Sequence, residues 1–127
     1  MARNVIQITP VMHIGDVALA VGFFRDTLGF ECLIQAERYA YVEREGAGIR
    51  IQWHDVPAEL GDAHGGFSYY LDVRDLDAIL DELAPQLAAL PTGDVHGPVE
   101  QSYGQRELMI RAPDGNLVVF GQAIAAA

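Results

Sequence analysis

Ile14-Gly15-Asp16-Val17-Ala18-Leu19-Ala20-Val21 has a counterpart fifty-nine residues later in Val73-Arg74-Asp75-Leu76-Asp77-Ala78-Ile79-Leu80. In each stretch an apolar, strand-like run ends at an aspartate, and apolar residues at helical spacing follow it. Aspartate is a favoured helix N-cap because its carboxylate accepts the free backbone N–H groups of the first turn. The chain therefore reads as two strand-to-helix modules, which predicts a pseudo-symmetric fold.

The first module is predicted to contain one helix and four strands. Its first strand covers residues 5–14, and Pro10 favours an edge position or a bulge because proline cannot donate to a ladder. A helix follows over residues 16–28, and Gly29 supplies its left-handed stop. Alternating or apolar runs separated by turn residues then predict three antiparallel strands at 30–35, 38–44 and 49–54.

The second module repeats this order of elements. A strand over 67–73 leads into a helix starting at Leu76, which Pro85 is expected to end or kink. Three strands follow at 95–101, 107–111 and 117–121, the last two joined by the turn Pro113-Asp114-Gly115-Asn116. We therefore expect a single domain, residues 1–127, built from pseudo-repeat modules 4–60 and 65–122 with a boundary in the loop 55–66.

Composition narrows the class of protein. A net charge of −10 argues against nucleic acid as a partner, because that affinity comes largely from Lys and Arg. The acidity either serves solubility or steers a cationic ligand, and the sequence leaves both open. Apolar stretches fall short of the ~20 residues that span a bilayer, and the N-terminal stretch lacks a secretory pattern, so no membrane is expected. The lone Cys32 favours a reducing compartment and predicts a cytoplasmic protein.

Several spaced motifs carry a family resemblance. Pro10-Val11-Met12-His13-Ile14-Gly15-Asp16-Val17, Phe24-Arg25-Asp26-Thr27-Leu28-Gly29-Phe30 and Ala112-Pro113-Asp114-Gly115-Asn116-Leu117 resemble the vicinal oxygen chelate superfamily of glyoxalases, bleomycin resistance proteins and dioxygenases. Gly48-Ile49-Arg50-Ile51-Gln52-Trp53, Gly97-Pro98-Val99 and Tyr103-Gly104-Gln105-Arg106-Glu107 are similar to bleomycin resistance proteins in particular.

The resemblance implies an α+β fold. Two βαβββ modules would form a curved, mostly antiparallel eight-strand sheet with helices on its convex side and a concave cavity. It also implies a homodimer with binding grooves at the interface, often with one module exchanged between chains.

Metal-dependent members of that superfamily hold a divalent ion with a His/Glu/His/Glu set. Counting from the two helix-capping aspartates and from Gly48 and Gly115 places Thr9, Gln52, Ser68 and Val119 at those four positions. None is an ionisable ligand of the kind that Zn²⁺, Mn²⁺ or Fe²⁺ sites use. The expected protein therefore needs neither a metal nor another cofactor, and no catalytic set is assigned.

Strand parity selects the candidate ligand-binding residues. Alternation places the apolar residues Ile49, Ile51 and Trp53 under a helix and the polar residues on the opposite, cavity-facing side. The residues predicted to line one cavity are Thr9, His13, Arg50, Gln52, Ser68, Tyr70 and Asp72. Tyr70 offers a face for stacking a flat ligand, and Asp72 favours a cation. His13 and His54 are either pocket groups, a replacement metal pair or, as we prefer, hydrogen-bonded residues at strand ends.

Three hypotheses about function follow. The leading one is a metal-free binding protein that, like bleomycin resistance proteins, sequesters an aromatic, possibly cationic small molecule and so confers antibiotic resistance. The second is a metal-dependent lyase, isomerase or dioxygenase-like enzyme of the same fold, which would need His13, His54 and distant carboxylates such as Glu107. The third is a protein-interaction module that uses the broad apolar face of the first helix.

Overall fold

The computed structural model describes residues 2–55 and 66–125, and its elements follow the βαβββ order twice. The first module contains β1 (Val11–Ile14), α1 (Val17–Gly22) with a π-helical continuation (Phe23–Thr27), β2 (Glu31–Gln35), β3 (Tyr39–Arg44) and β4 (Ala47–Trp53). The second contains β5 (Ser68–Asp72), α2 (Leu76–Ala88), β6 (Val95–Glu100), β7 (Gln105–Arg111), a 3₁₀ turn (Pro113–Gly115) and β8 (Leu117–Ala123). The α+β fold of two such modules is confirmed.

Both predicted helix starts are confirmed at the level of single hydrogen bonds. The Asp16 carboxylate accepts from the Leu19 amide at 3.0 Å, and the Asp75 carboxylate accepts from the Ala78 amide at 3.1 Å. At the other end of the first helix Gly29 adopts a φ of +74°, the left-handed conformation that glycine takes without steric cost. The repeated Asp motif therefore acts as predicted, by fixing where each helix begins.

The first strand is shorter than predicted. It begins at Val11, whereas the prediction started at Val5, and residues 2–10 belong to no strand or helix. The Pro10 carbonyl still accepts from the Arg50 amide at 3.0 Å, but proline has no N–H with which to extend the ladder. The apolar side chains before it are left in solvent, with Ile6 95% and Ile8 94% exposed.

The second helix does not stop at Pro85. It continues to Ala88, one residue short of the C-cap Ala89. Pro85 lies near the end of the helix, where it removes the bond to the carbonyl of Asp81 but leaves the packing of Leu76, Ile79 and Leu83 intact. None of the described helices is long and apolar enough to cross a membrane.

Among the described residues, the eight strands divide between two four-stranded sheets, whereas the prediction was one continuous eight-strand sheet. The strand orders are β1-β4-β3-β2 and β5-β8-β7-β6, so β1 and β5 are edge strands. In each sheet the first strand runs parallel to the last, and the other neighbours are antiparallel. The two modules meet through side chains instead, since the Tyr69 hydroxyl donates to the Val11 carbonyl at 3.1 Å and the Gly15 amide donates to Asp114 at 2.7 Å.

One hydrophobic core joins the two modules. It contains the inward-facing residues of both sheets and the apolar sides of both helices, and its large, fully buried members include Phe24, Phe120, Met12 and Leu108. At the rim, Arg44 of β3 forms a two-pronged ion pair with Glu82 of α2 and also donates to the Leu28 carbonyl. The predicted module boundary falls largely in residues 56–65, and that stretch, which includes His64, lies outside the described residues.

Candidate functional site

Polar side chains of the first module share one exposed sheet face. The register places His13 beside Gln52 and Val11 beside Arg50, and the two isoleucines that alternate with these residues are buried. Parity therefore sorts this part of β4 as predicted. Trp53 is the exception, because it is 37% exposed and lies at 4.5 Å under the guanidinium of Arg38. The prediction that Trp53 belongs to the core is wrong, because β4 ends at this residue and leaves its ring partly exposed beside Arg38.

Arg50 is the cationic centre of this face. Its guanidinium donates to the Tyr39 hydroxyl at 2.6 Å and lies 5.7 Å from the centroid of the Tyr41 ring. The Tyr41 ring itself covers Gly48, where a Cβ would collide with the phenol. Sequence reasoning missed both tyrosines, although their alternation along β3 was visible. The first face thus presents a guanidinium that contacts the hydroxyl of one tyrosine and lies near the ring of another.

The histidines of the first module stack on each other. The rings of His13 and His54 lie with centroids 5.1 Å apart and an interplanar angle of 21°. An imidazole binds a metal in its own ring plane, so two nearly parallel, separated rings do not share one ion in this arrangement. Within residues 2–55 and 66–125, no three His, Cys, Asp or Glu side chains are grouped to hold a metal. Together with Thr9, Gln52, Ser68 and Val119, these residues do not fit the superfamily's divalent ion.

The second module presents a different face, centred on a carboxylate. Tyr70 lies half-exposed over Gly121, and its hydroxyl donates to Gln105 at 3.2 Å. Beside it on β7, Glu107 is only 3% exposed, and its two oxygens share the single proton of the Tyr103 hydroxyl, at 2.7 and 2.8 Å. Desolvation, with the Glu107 carboxylate as a second cause, raises the pKa of Tyr70 to about 12. The hydrogen bond to Glu107 also raises the pKa of Tyr103.

The seven residues predicted to line one cavity are distributed over both faces. His13, Arg50 and Gln52 lie on the first sheet, whereas Ser68, Tyr70 and Asp72 lie on β5 of the second. Thr9 precedes β1, and its hydroxyl accepts from Gln7 at 2.8 Å.

A cleft of about 330 Å³ lies between the modules. Two of the seven residues, Ser68 and Tyr70, line this cleft. Thr9 and Arg50 do not line it, but their chain neighbours Ile8, Pro10 and Ile49 do. A larger hollow of about 570 Å³, lined by Trp53 and Arg38, lies away from all seven.

Comparison with known proteins places this geometry in a family. The model of the Glyoxalase/Bleomycin resistance protein/Dioxygenase superfamily matches residues 7–120. The chain belongs to this superfamily. It is 24% identical over 132 residues to a bleomycin resistance protein from Geobacillus stearothermophilus, covering 94% of this chain and 98% of the relative. The resemblance inferred from the motifs is therefore confirmed.

Solved structures agree on the fold. The bleomycin-binding protein from bleomycin-producing Streptomyces verticillus, complexed with copper(II)-bleomycin, superposes with a TM-score of 0.75 at 27% identity, covering 98% of this chain and all of that one. A glyoxalase-related enzyme from Clostridium phytofermentans reaches 0.72 at 17% identity, covering 96% and 98%. At that identity the second likeness shows the fold alone, so the superfamily fold by itself does not separate binders from enzymes.

Proposed function

We propose that this protein binds and sequesters a small-molecule antibiotic of the bleomycin type without chemically changing it. The observation that carries the proposal is the end-to-end similarity to a protein solved with bleomycin bound, at higher identity than the glyoxalase-related enzyme. A sequestering protein needs a shaped surface with stacking and hydrogen-bonding groups and needs no acid, base or nucleophile. The two tyrosine-bearing faces supply such groups.

We propose an aromatic ligand with a cationic group, whose positive charge suits the second face around Glu107 and not the first face around Arg50. Tyr70 and Tyr41 each lie against a glycine, and Tyr70, which is 43% exposed, is the aromatic side chain that we propose for stacking. The chain carries a net charge of −10, which attracts a positively charged compound over distance. We propose that Thr9, His13, Arg50, Gln52, Ser68, Tyr70 and Asp72 contact the ligand, and that they do so without a metal held by the protein.

A homodimer would bring the two faces together. Within one chain β1 and β5 are edge strands, and edge strands with open backbone groups are natural places for a second chain to pair. The exposed isoleucines before Pro10 lie next to this region, since Ile8 lines the cleft with Ser68 and Tyr70. We propose that a second copy covers these surfaces and completes the groove, and that the protein acts in the cytoplasm.

Calorimetric titration with bleomycin tests the proposal. We expect saturable binding both to copper-loaded bleomycin and to bleomycin with a chelator present, and mass spectrometry should recover the antibiotic unchanged. Affinity should fall with added salt, because charges separated by more than about 10 Å are largely screened at 0.1 M. A modified product, or binding that requires a metal on the protein, would support the enzyme alternative. No heat of binding with either form would refute the proposal.

A further inference from the structure

Glu107 is the one charged side chain that is fully buried among the described residues. It lies on β7 opposite Gly121, on the same face as Tyr70. Its two oxygens both accept from one hydroxyl, that of Tyr103. The Tyr70 hydroxyl beside it also interacts with the carboxylate. A carboxylate offers about four lone-pair directions, so two neutral phenols leave part of its accepting capacity free.

Glu107 has no cationic partner among the residues that the structure describes. Arg106, its chain neighbour, points to the other face and pairs with Asp77 of α2 at 3.0 Å. The chain contains no lysine, so no side-chain ammonium group of its own can pair with Glu107. Burying a carboxylate without an opposite charge costs free energy. A positively charged hydrogen-bond donor would therefore stabilise Glu107 more than a neutral donor does.

The side chain of Tyr103 is exposed enough to rotate away from Glu107 when such a donor binds. It lies in the turn before β7 and is 65% exposed, although its hydroxyl reaches the buried carboxylate. The turn is closed by backbone bonds, with the Gly104 amide donating to the Gln101 carbonyl at 3.1 Å. Rotation of the exposed ring therefore opens Glu107 without disturbing the core or the turn.

We propose that Glu107, Tyr103 and Tyr70 form a subsite for an organic cation, and that the Tyr103 hydroxyl occupies the carboxylate until an ammonium or guanidinium group displaces it. Charged donors form shorter and stronger hydrogen bonds to carboxylates than neutral hydroxyls do. The two phenol rings then flank the cation with their π faces. This inference rests on the proposed binding function, since the cation would be part of the same sequestered ligand.

A matched pair of probes tests the subsite. The probes are 2-naphthylmethylammonium and 2-naphthylmethanol, which share a ring system and differ in charge, and their affinities are measured by calorimetry or by NMR titration. Wild-type protein should prefer the cation. Glu107→Gln keeps the shape of the side chain and should cut this preference about tenfold, the scale of one charged hydrogen bond. Glu100→Gln removes an equal charge from the exposed end of β6 and should leave the preference unchanged.

Tyr103→Phe separates displacement from simple stacking. It keeps the ring and removes the competing hydroxyl, so the cation should bind more tightly than to wild type. Unchanged or weaker cation binding in Tyr103→Phe would overturn displacement, and equal losses in Glu107→Gln and Glu100→Gln would overturn the subsite. Failure of both probes to bind wild type would do the same. If bleomycin still binds in any of these cases, the proposed function stands without this subsite, and thermal melts of each variant confirm folding.

Discussion

The Tyr70 side chain is the aromatic group on which the proposed stacking depends. Tyr70→Ala should weaken bleomycin binding by about 1–3 kcal/mol, because it removes a ring's worth of buried apolar contact and its stacking. Tyr70→Phe keeps the ring and should retain most of the affinity, losing the bond to Gln105. Calorimetry on the three proteins measures this directly. Equal affinity in wild type and Tyr70→Ala would exclude the ring from the binding surface.

Tyr70 and Tyr103, the tyrosines beside Glu107, should ionise at a higher pH than an ordinary tyrosine. The carboxylate is the largest cause of the raised pKa of Tyr103, whereas for Tyr70 desolvation is larger and Glu107 comes second. Glu107→Gln should therefore move both ionisations to lower pH, and Tyr103 should respond mainly through this lost charge and bond. Absorbance at the tyrosinate band during alkaline titration measures the shift, and Tyr103→Phe identifies its contribution. An unchanged titration curve would show that the carboxylate does not control these phenols.

Residue parity predicted which side chains of β4 face away from the core. It did not predict that the carboxylate of Glu107 is buried. Alternation along β4 separated Arg50 and Gln52 from the buried isoleucines, because successive side chains of a strand point to opposite faces of the sheet. The same rule applied to Glu107 would have placed it on the exposed face. Its burial depends on Tyr103, a residue of a turn whose path the sequence pattern does not specify. A contact between a turn residue and a strand residue, such as that of Tyr103 with Glu107, cannot be predicted from the alternation of residues along a strand.

At the scale of elements, the ion pair of Arg44 and Glu82 joins β3 to α2. The hydrogen bonds from Arg44 lower the pKa of Glu82. A lowered folded-state pKa gives stability that is present above the ordinary carboxyl pKa of 4.5 and is lost as pH falls through the folded value. Glu82→Gln should therefore lower the melting temperature at neutral pH, and its difference from wild type should shrink below that value.

The loss should be small, because half of the Glu82 side chain is exposed and solvent screens such pairs to about 0–1 kcal/mol. Glu31→Gln, an exposed carboxylate on β2, is the control. A difference between Glu82→Gln and wild type that stays constant down to acid pH would contradict this account. The Leu28 carbonyl also accepts from Arg44, so Arg44→Met should cost more than Glu82→Gln at neutral pH.

Element order was predictable because caps and turns are local, whereas strand length was not. Asp16, Asp75 and Gly29 act through their own backbone neighbourhood, and each behaves as the sequence indicates. The apolar run before Pro10 has the composition of a strand but has no ladder partner among the residues that the structure describes. Whether an apolar segment forms a strand depends on which segment lies beside it, and the local sequence does not specify that neighbour.

At the scale of the whole molecule, the open edges of the two sheets and the exposed apolar segment before Pro10 favour pairing with a second copy, whereas the net charge of −10 opposes it. We expect light scattering to return about twice the chain mass of 13.8 kDa at micromolar concentration. Exposed isoleucines that become covered in a dimer each contribute apolar burial, so replacing Ile6 and Ile8 together by Asp should shift the protein toward monomer. Replacing both by Val preserves the apolar surface and should keep the dimer. A wild-type monomer would refute the assembly, and a dimer that tolerates both aspartates would exclude Ile6 and Ile8 from the interface.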